Sequence, residues 1–182
     1  MNVLKTNIDG VLILEPTRYG DQRGYFMESF SARDFEQAVG YSVHFVQDNE
    51  SLSAKGVLRG LHFQREPYAQ AKLVRVVRGR VLDVAVDIRK GSPTFGRYVA
   101  VELSGENGRQ LFIPKGFAHG FLALEDETVF QYKCDEYYHP ESEDGIAWND
   151  PEVAIDWGVG EDEVILSEKD GNRLKLKEVC EF

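Results

Sequence analysis

Apolar and polar positions alternate along most of this chain with a period of two, the spacing of a strand that buries one face. In Leu82-Asp83-Val84-Ala85-Val86-Asp87-Ile88 the apolar residues are separated by Asp, Ala and Asp, and Tyr98-Val99-Ala100-Val101-Glu102-Leu103 alternates likewise. Turn signals punctuate these runs at Gly20-Asp21, Lys90-Gly91-Ser92-Pro93, Gly105-Glu106-Asn107-Gly108 and Pro114-Lys115-Gly116, as expected for short antiparallel strands. One segment has helical spacing. Ser31-Ala32-Arg33-Asp34 reads as a capping box, Phe35, Ala38 and Val39 share a face, and Gly40 can end the helix. The tail from Asp150 predicts only short helical or irregular pieces. With no repeat, low-complexity stretch or internal boundary, residues 1–182 are expected to form a single all-β domain, an antiparallel jelly-roll barrel with a few short helices.

Composition narrows the partners. With 182 residues, 42% of them apolar and 12% aromatic, the chain can build a sizeable core. Its 21 Lys and Arg against 31 Asp and Glu give a formal charge of -10, which argues against nucleic acid or an anionic membrane as partner. An anionic ligand must then be held by a local basic cluster. The first residues lack the apolar core of a signal peptide and no run is long enough to span a membrane, so a cytoplasmic protein is expected. Cys134 and Cys180 have no metal-type spacing and read as plain thiols.

The candidate chemistry begins at Gly56-Val57-Leu58-Arg59-Gly60-Leu61-His62, followed by Lys72 and Gly79. This resembles the first metal motif of the cupin superfamily with its ligands replaced: Gln64 stands where a second His is usual, and Lys72 where a Glu is usual. The second motif is nearly intact from Gly108 through Pro114-Lys115-Gly116-Phe117-Ala118-His119, with Ala123 in place of its distal Asn. An ammonium has three donors and no lone pair, so it repels a cation instead of ligating one. No metal is expected, and the pocket should take an anion or a developing oxyanion. In Val129-Phe130-Gln131-Tyr132-Lys133-Cys134, alternation turns Tyr132 inward with Phe130 and Cys134. Singly, His62 and Tyr132 read more readily as satisfied core residues than as chemistry, and Lys72 alone could be a solvated edge charge. Together with His119 on one inner face, they call for a ligand.

Arg23-Gly24-Tyr25-Phe26-Met27-Glu28, Val46-Gln47-Asp48-Asn49-Glu50-Ser51, Val57-Leu58-Arg59-Gly60-Leu61-His62, Phe112-Ile113-Pro114-Lys115-Gly116-Phe117-Ala118-His119-Gly120-Phe121 and Ser167-Glu168-Lys169-Asp170 together resemble the dTDP-4-dehydrorhamnose 3,5-epimerases, in order and over nearly the whole chain. That resemblance implies cofactor-independent inversion of the two carbons flanking the ketone of dTDP-4-dehydro-6-deoxy-D-glucose. His62 would be the base, held and activated by Asp170. Tyr132 would return a proton from the opposite face, and Lys72 would stabilise the enolate. The chemistry is coherent, because inversion needs a base and an acid on opposite faces of the carbon, and a cation at the enolate oxygen acts mainly on the transition state.

The same resemblance implies ligand contacts from Arg59 to the diphosphate, from Tyr138 stacked on the thymine, and from His119, Glu143 and Lys169. Alternation puts Gln47 and Asn49 on one face, suited to sugar or phosphate oxygens. Arg59, however, falls on the opposite face from His62 unless Gly60 hosts a bulge. Arg23 and Glu28 lie in the segment implied to reach the neighbouring site of a homodimer. His44, His139, Trp148 and Trp157 read as surface, turn and packing residues, and Glu141-Ser142-Glu143-Asp144 as a solvated loop. Rival readings are a mono-epimerase or 3,4-ketoisomerase of the same fold, a metal-dependent oxygenase, for which Gln64 and Lys72 are poor ligands, and a non-catalytic nucleotide-sugar binding module.

Overall fold

The computed structural model of this protein describes residues 1–180. In chain order the elements are β1 (Asn2–Lys5), β2 (Leu12–Glu15), β3 (Arg18–Asp21), β4 (Gly24–Met27), α1 (Ala32–Val39), β5 (Gln47–Ser53), β6 (Leu58–Gln64), β7 (Lys72–Arg78), β8 (Arg80–Asp87), β9 (Tyr98–Ser104), β10 (Gln110–Ile113), β11 (Phe117–Ala123), β12 (Thr128–Cys134) and β13 (Glu143–Gly145). A 3-10 turn (Glu161–Glu163), α2 (Glu168–Gly171) and α3 (Leu176–Cys180) complete the tail as short pieces. Two antiparallel sheets face each other, one ordered β1-β2-β10-β7-β12-β5 and the other β13-β6-β11-β8-β9, with β3 and β4 pairing apart as a hairpin. This is the antiparallel jelly roll expected from the alternation.

Three apolar clusters explain which positions are apolar. Between the sheets lie the inward residues of both, including Val74, Val76, Val81, Ala85, Leu111, Phe121 and Phe130. The other face of the second sheet is covered by the tail, which brings Trp157, Leu176 and Val179 onto Leu61, Val84, Val86 and Leu122. Strands β8 and β11 are therefore buried on both faces, and in β11 every residue is buried. The third cluster packs Phe35 of α1 against Leu14, Leu73 and Phe112 on the outside of the first sheet. Each such large side chain contributes about 1.5–3 kcal/mol on burial.

Helix α1 begins and ends where its caps predict. Ser31 accepts from the Asp34 amide, and Gly40 takes the left-handed conformation at φ 87° while its N–H reaches the Glu36 carbonyl. Trp157 is buried and donates its indole N–H to the Trp148 carbonyl at 2.9 Å, so both tryptophans serve packing as read from the sequence. Cys134 is a buried free thiol; the expectation for Cys180 falls on a side chain outside the described structure. No helix among the described residues is long and apolar enough to cross a membrane.

Candidate functional site

A cavity of about 580 Å³ opens between the two sheets, entered beside α2 and the loop after β12. The first sheet contributes Asn49 from β5, Lys72 from β7, and Phe130 and Tyr132 from β12; the second contributes Arg59 and His62 from β6 and His119 and Phe121 from β11. Tyr138, Glu143, Lys169 and Asp170 line the rest. Gln47 stands just outside this lining; its side chain holds the rim, donating to Asn49 Oδ1 at 3.0 Å and accepting from the Tyr138 amide at 3.1 Å.

Arg59 and His62 share the cavity because β6 carries an extra residue. His62 pairs with His119 and Arg59 with Phe121, so three steps along β6 match two along β11. The added residue reverses the alternation, as a β-bulge does. Gly60 permits this: its φ is +133°, and a Cβ there would lie 2.5 Å from the Gly120 Cα and 2.9 Å from the His119 carbonyl oxygen. Arg59 is steadied by Ser53 Oγ at 3.2 Å and the Leu52 carbonyl at 3.3 Å.

His62 Nε2 donates to Asp170 Oδ1 at 2.5 Å. With Nε2 committed to a carboxylate, Nδ1 has no partner among the described residues and carries the lone pair of a base. Asp170 is fixed in turn by the Gly60 amide at 3.5 Å and by its own amide on Ser167 Oγ at 3.1 Å, which caps α2. Burial raises the Asp170 pKa, but the His62, Gly60 and Ser167 hydrogen bonds outweigh it and keep this carboxyl below its usual value, hence ionised.

Tyr132 faces His62 from the opposite sheet. Burial pushes its phenol up to about 12, so it carries its proton at neutral pH. The Lys72 ammonium lies 5.9 Å from the centre of the Tyr132 ring and forms no hydrogen bond or ion pair among the described residues. Burial lowers its pKa, opposed first by Cys134 and then by Asp83 and Glu143. His119 Nε2 is bound to Asp83 at 3.1 and 2.9 Å from the two oxygens.

At the mouth, Glu143 accepts from Tyr138 Oη at 2.6 Å and pairs with Lys169 at 2.6 Å and Arg173 at 2.8 Å. Burial raises its pKa, yet these donors bring it down to about 2. Glu141-Ser142-Glu143-Asp144 is therefore not the solvated loop expected: Glu143 and Asp144 lie in β13, an edge strand whose charges are taken up by Arg173, Lys169 and Arg65. Gln64, at the position of a lost metal ligand, ties loops together, donating to the Tyr68 and Tyr137 carbonyls at 2.7 and 3.1 Å and accepting from the His139 amide at 2.7 Å. Among the described residues no group of three His, Cys, Asp or Glu is placed to hold a metal ion.

Arg23 and Glu28 do not reach this cavity. Arg23 is exposed on the β3–β4 hairpin and paired with Asp21, and Glu28 lies at a separate groove with Ser29 and Phe30. Sequence reasoning missed Asp83 and Arg173. An acid on the inward side of β8, between Val81 and Ala85, was the available signal for Asp83; nothing local marks Arg173.

Residues 5–178 match the family model described as dTDP-4-dehydrorhamnose 3,5-epimerase. The chain is 59% identical over 179 residues to dTDP-4-dehydrorhamnose 3,5-epimerase of Escherichia coli (strain K12), covering 98% of this chain and 96% of that protein. It is 57% identical over 176 residues to the protein of the same name from Methanothermobacter thermautotrophicus (strain Delta H), covering 96% and 94%. Among solved structures, dTDP-6-deoxy-D-glucose-3,5-epimerase from Legionella pneumophila Philadelphia 1, in complex with dTDP-4-keto-L-rhamnose, superimposes with a TM-score of 0.93 at 57% identity over 97% of this chain and 93% of that one.

Proposed function

Since the chain belongs to the dTDP-4-dehydrorhamnose 3,5-epimerase family, we propose that it is an isomerase that converts dTDP-4-dehydro-6-deoxy-D-glucose into dTDP-4-dehydro-L-rhamnose by proton transfer alone, in the making of dTDP-rhamnose. His62 Nδ1 takes the proton alpha to the C4 ketone, and the Asp170 carboxylate holds the ring and stabilises the imidazolium that forms. The electron pair moves onto the ketone oxygen, and the Lys72 ammonium stabilises that enolate in a water-poor cavity. Tyr132 delivers a proton to the opposite face of the carbon, and the sequence repeats at the second carbon after the ring shifts. Arg59 binds the diphosphate with its guanidinium fork. Gln47, Asn49 and His119 hold ligand oxygens, while Tyr138, Glu143 and Lys169 receive the base.

The observation that carries this reading is the arrangement of His62, held by Asp170 of α2, on one sheet and a protonated Tyr132 on the facing sheet across one cavity. His62→Ala is expected to keep dTDP affinity within about threefold and to lower turnover by about a hundredfold to ten-thousandfold. Unchanged turnover refutes the assigned base.

The working unit we infer is a homodimer. The β3–β4 hairpin leaves Tyr25 59% and Phe26 70% exposed beside Arg23, an apolar surface suited to a second copy. On this reading Arg23 and Glu28 complete the neighbour's site. A cytoplasmic location belongs to the same proposal and suits the buried free thiol of Cys134.

A further inference from the structure

His119 and Lys72 line the cavity at 7% and 9% exposure, and Asp83, at 0%, lies behind His119. Asp83 points inward from β8 alongside Val81 and Ala85, and among the described residues its carboxylate bonds to His119 alone. A carboxylate buried this fully needs a positive charge close by. Lys169 and Arg173, the cations at the mouth, are already paired with Glu143. Arg59, on β6, is exposed to solvent and held by Ser53 Oγ and the Leu52 carbonyl. Among the described residues, Lys72 and His119 are the buried bases of the cavity that remain.

The other groups around Lys72 do not compete for the charge. Cys134, on β12, stands opposite Lys72 in the strand register, and burial pushes that thiol up to about 11 as it pushes Tyr132 up to about 12, so both are neutral near pH 7. Glu143, on β13, is balanced by its own cations, and His62, on β6, is bound to Asp170. One buried negative charge thus supports one proton, and two bases are available to hold it. An amine holds a proton more tightly than an imidazole by about four pKa units. Burial works against both; at His119 it outweighs the Asp83 carboxylate, which favours the charged ring, and Lys72 and His62 act in the same direction as burial.

We propose that Asp83 is a positioning residue that sets the charge state of the cavity floor, fixing His119 as a neutral ring protonated at Nε2 and supplying the negative charge that keeps the Lys72 ammonium protonated. His119 Nδ1 is then an acceptor, so the ligand group it takes is a hydroxyl donor and not an oxyanion. The inference rests on the epimerase reading and extends it to a residue that touches no reacting atom.

Asp83→Asn keeps the size and the acceptor for His119 while removing the charge. Measured on an enzyme whose wild type turns over the 4-keto sugar nucleotide, kcat is expected to fall about a hundredfold, with KM within about threefold. The high-pH limb of kcat should move to lower pH as Lys72 loses its proton earlier. An unchanged kcat and an unchanged limb overturn the proposal. Should the variant fail to fold, nitrogen-15 NMR of the wild-type His119 ring decides: a neutral ring with its proton on Nε2 from about pH 6 to 8 supports it, and an imidazolium or an Nδ1–H tautomer overturns it. A wild type without turnover sinks the epimerase reading and leaves the NMR test of the Asp83 and His119 pair standing.

Discussion

Gly60→Ala tests the bulge that brings Arg59 and His62 into one cavity. The new Cβ would meet the Gly120 Cα at 2.5 Å and the His119 carbonyl oxygen at 2.9 Å, both backbone atoms that no side-chain rotation can move. Holding an L side chain at φ +133° costs about 1–3 kcal/mol, and forcing two strands apart costs about 1–3 kcal/mol more. The expected loss is about 4 kcal/mol, which for a chain of this size lowers Tm by about 8–16 °C. Gly91→Ala is the control, because Gly91 has φ +78° but open space around its Cβ position, so it should show only the backbone part. Urea denaturation of both variants separates the two contributions, and turnover together with dTDP affinity reports whether Arg59 and His62 still face the same ligand. If Gly60→Ala is as stable as Gly91→Ala and turns over normally, the bulge does not organise the site.

Tyr132→Phe removes the proton donor of one face and leaves the base of the other. Net inversion should fall by about a hundredfold to ten-thousandfold, while solvent deuterium still enters with retained configuration; equal losses of exchange and inversion would show that Tyr132 acts before the enolate forms. Acid stability should report Glu143. Its folded pKa of about 2 lies below the ordinary value of 4.5, so its contribution is complete above about pH 4.5 and is lost as pH falls towards 2. That contribution is at most about 3 kcal/mol. The stability gap between wild type and Glu143→Gln should close across this window, and a gap independent of pH contradicts the network at the mouth.

Elements whose cause is local were legible in the chain. Ser31 and Gly40 bound α1 through bonds a few residues long, and the alternation in β8, β9 and β12 follows from a buried face. The inward set of His62, Lys72, His119 and Tyr132 followed from the same alternation and the cupin-like spacing. Features that depend on distant partners were less visible. The bulge at Gly60 had to be assumed, because the register that requires it is set by β11. Glu143 and Asp144 read as solvated since the cations that hold them arrive from Lys169, Arg173 and Arg65. Asp83 looked like the polar half of an alternation until β11 placed His119 beside it.

The claim on which the rest depends is that a side-chain base lifts the protons on both sides of the ketone. Turnover of dTDP-4-dehydro-6-deoxy-D-glucose in heavy water, followed by NMR of the product, tests it directly. The account predicts deuterium at both carbons flanking the ketone and an L-configured sugar; deuterium at one of them, or at neither, contradicts it.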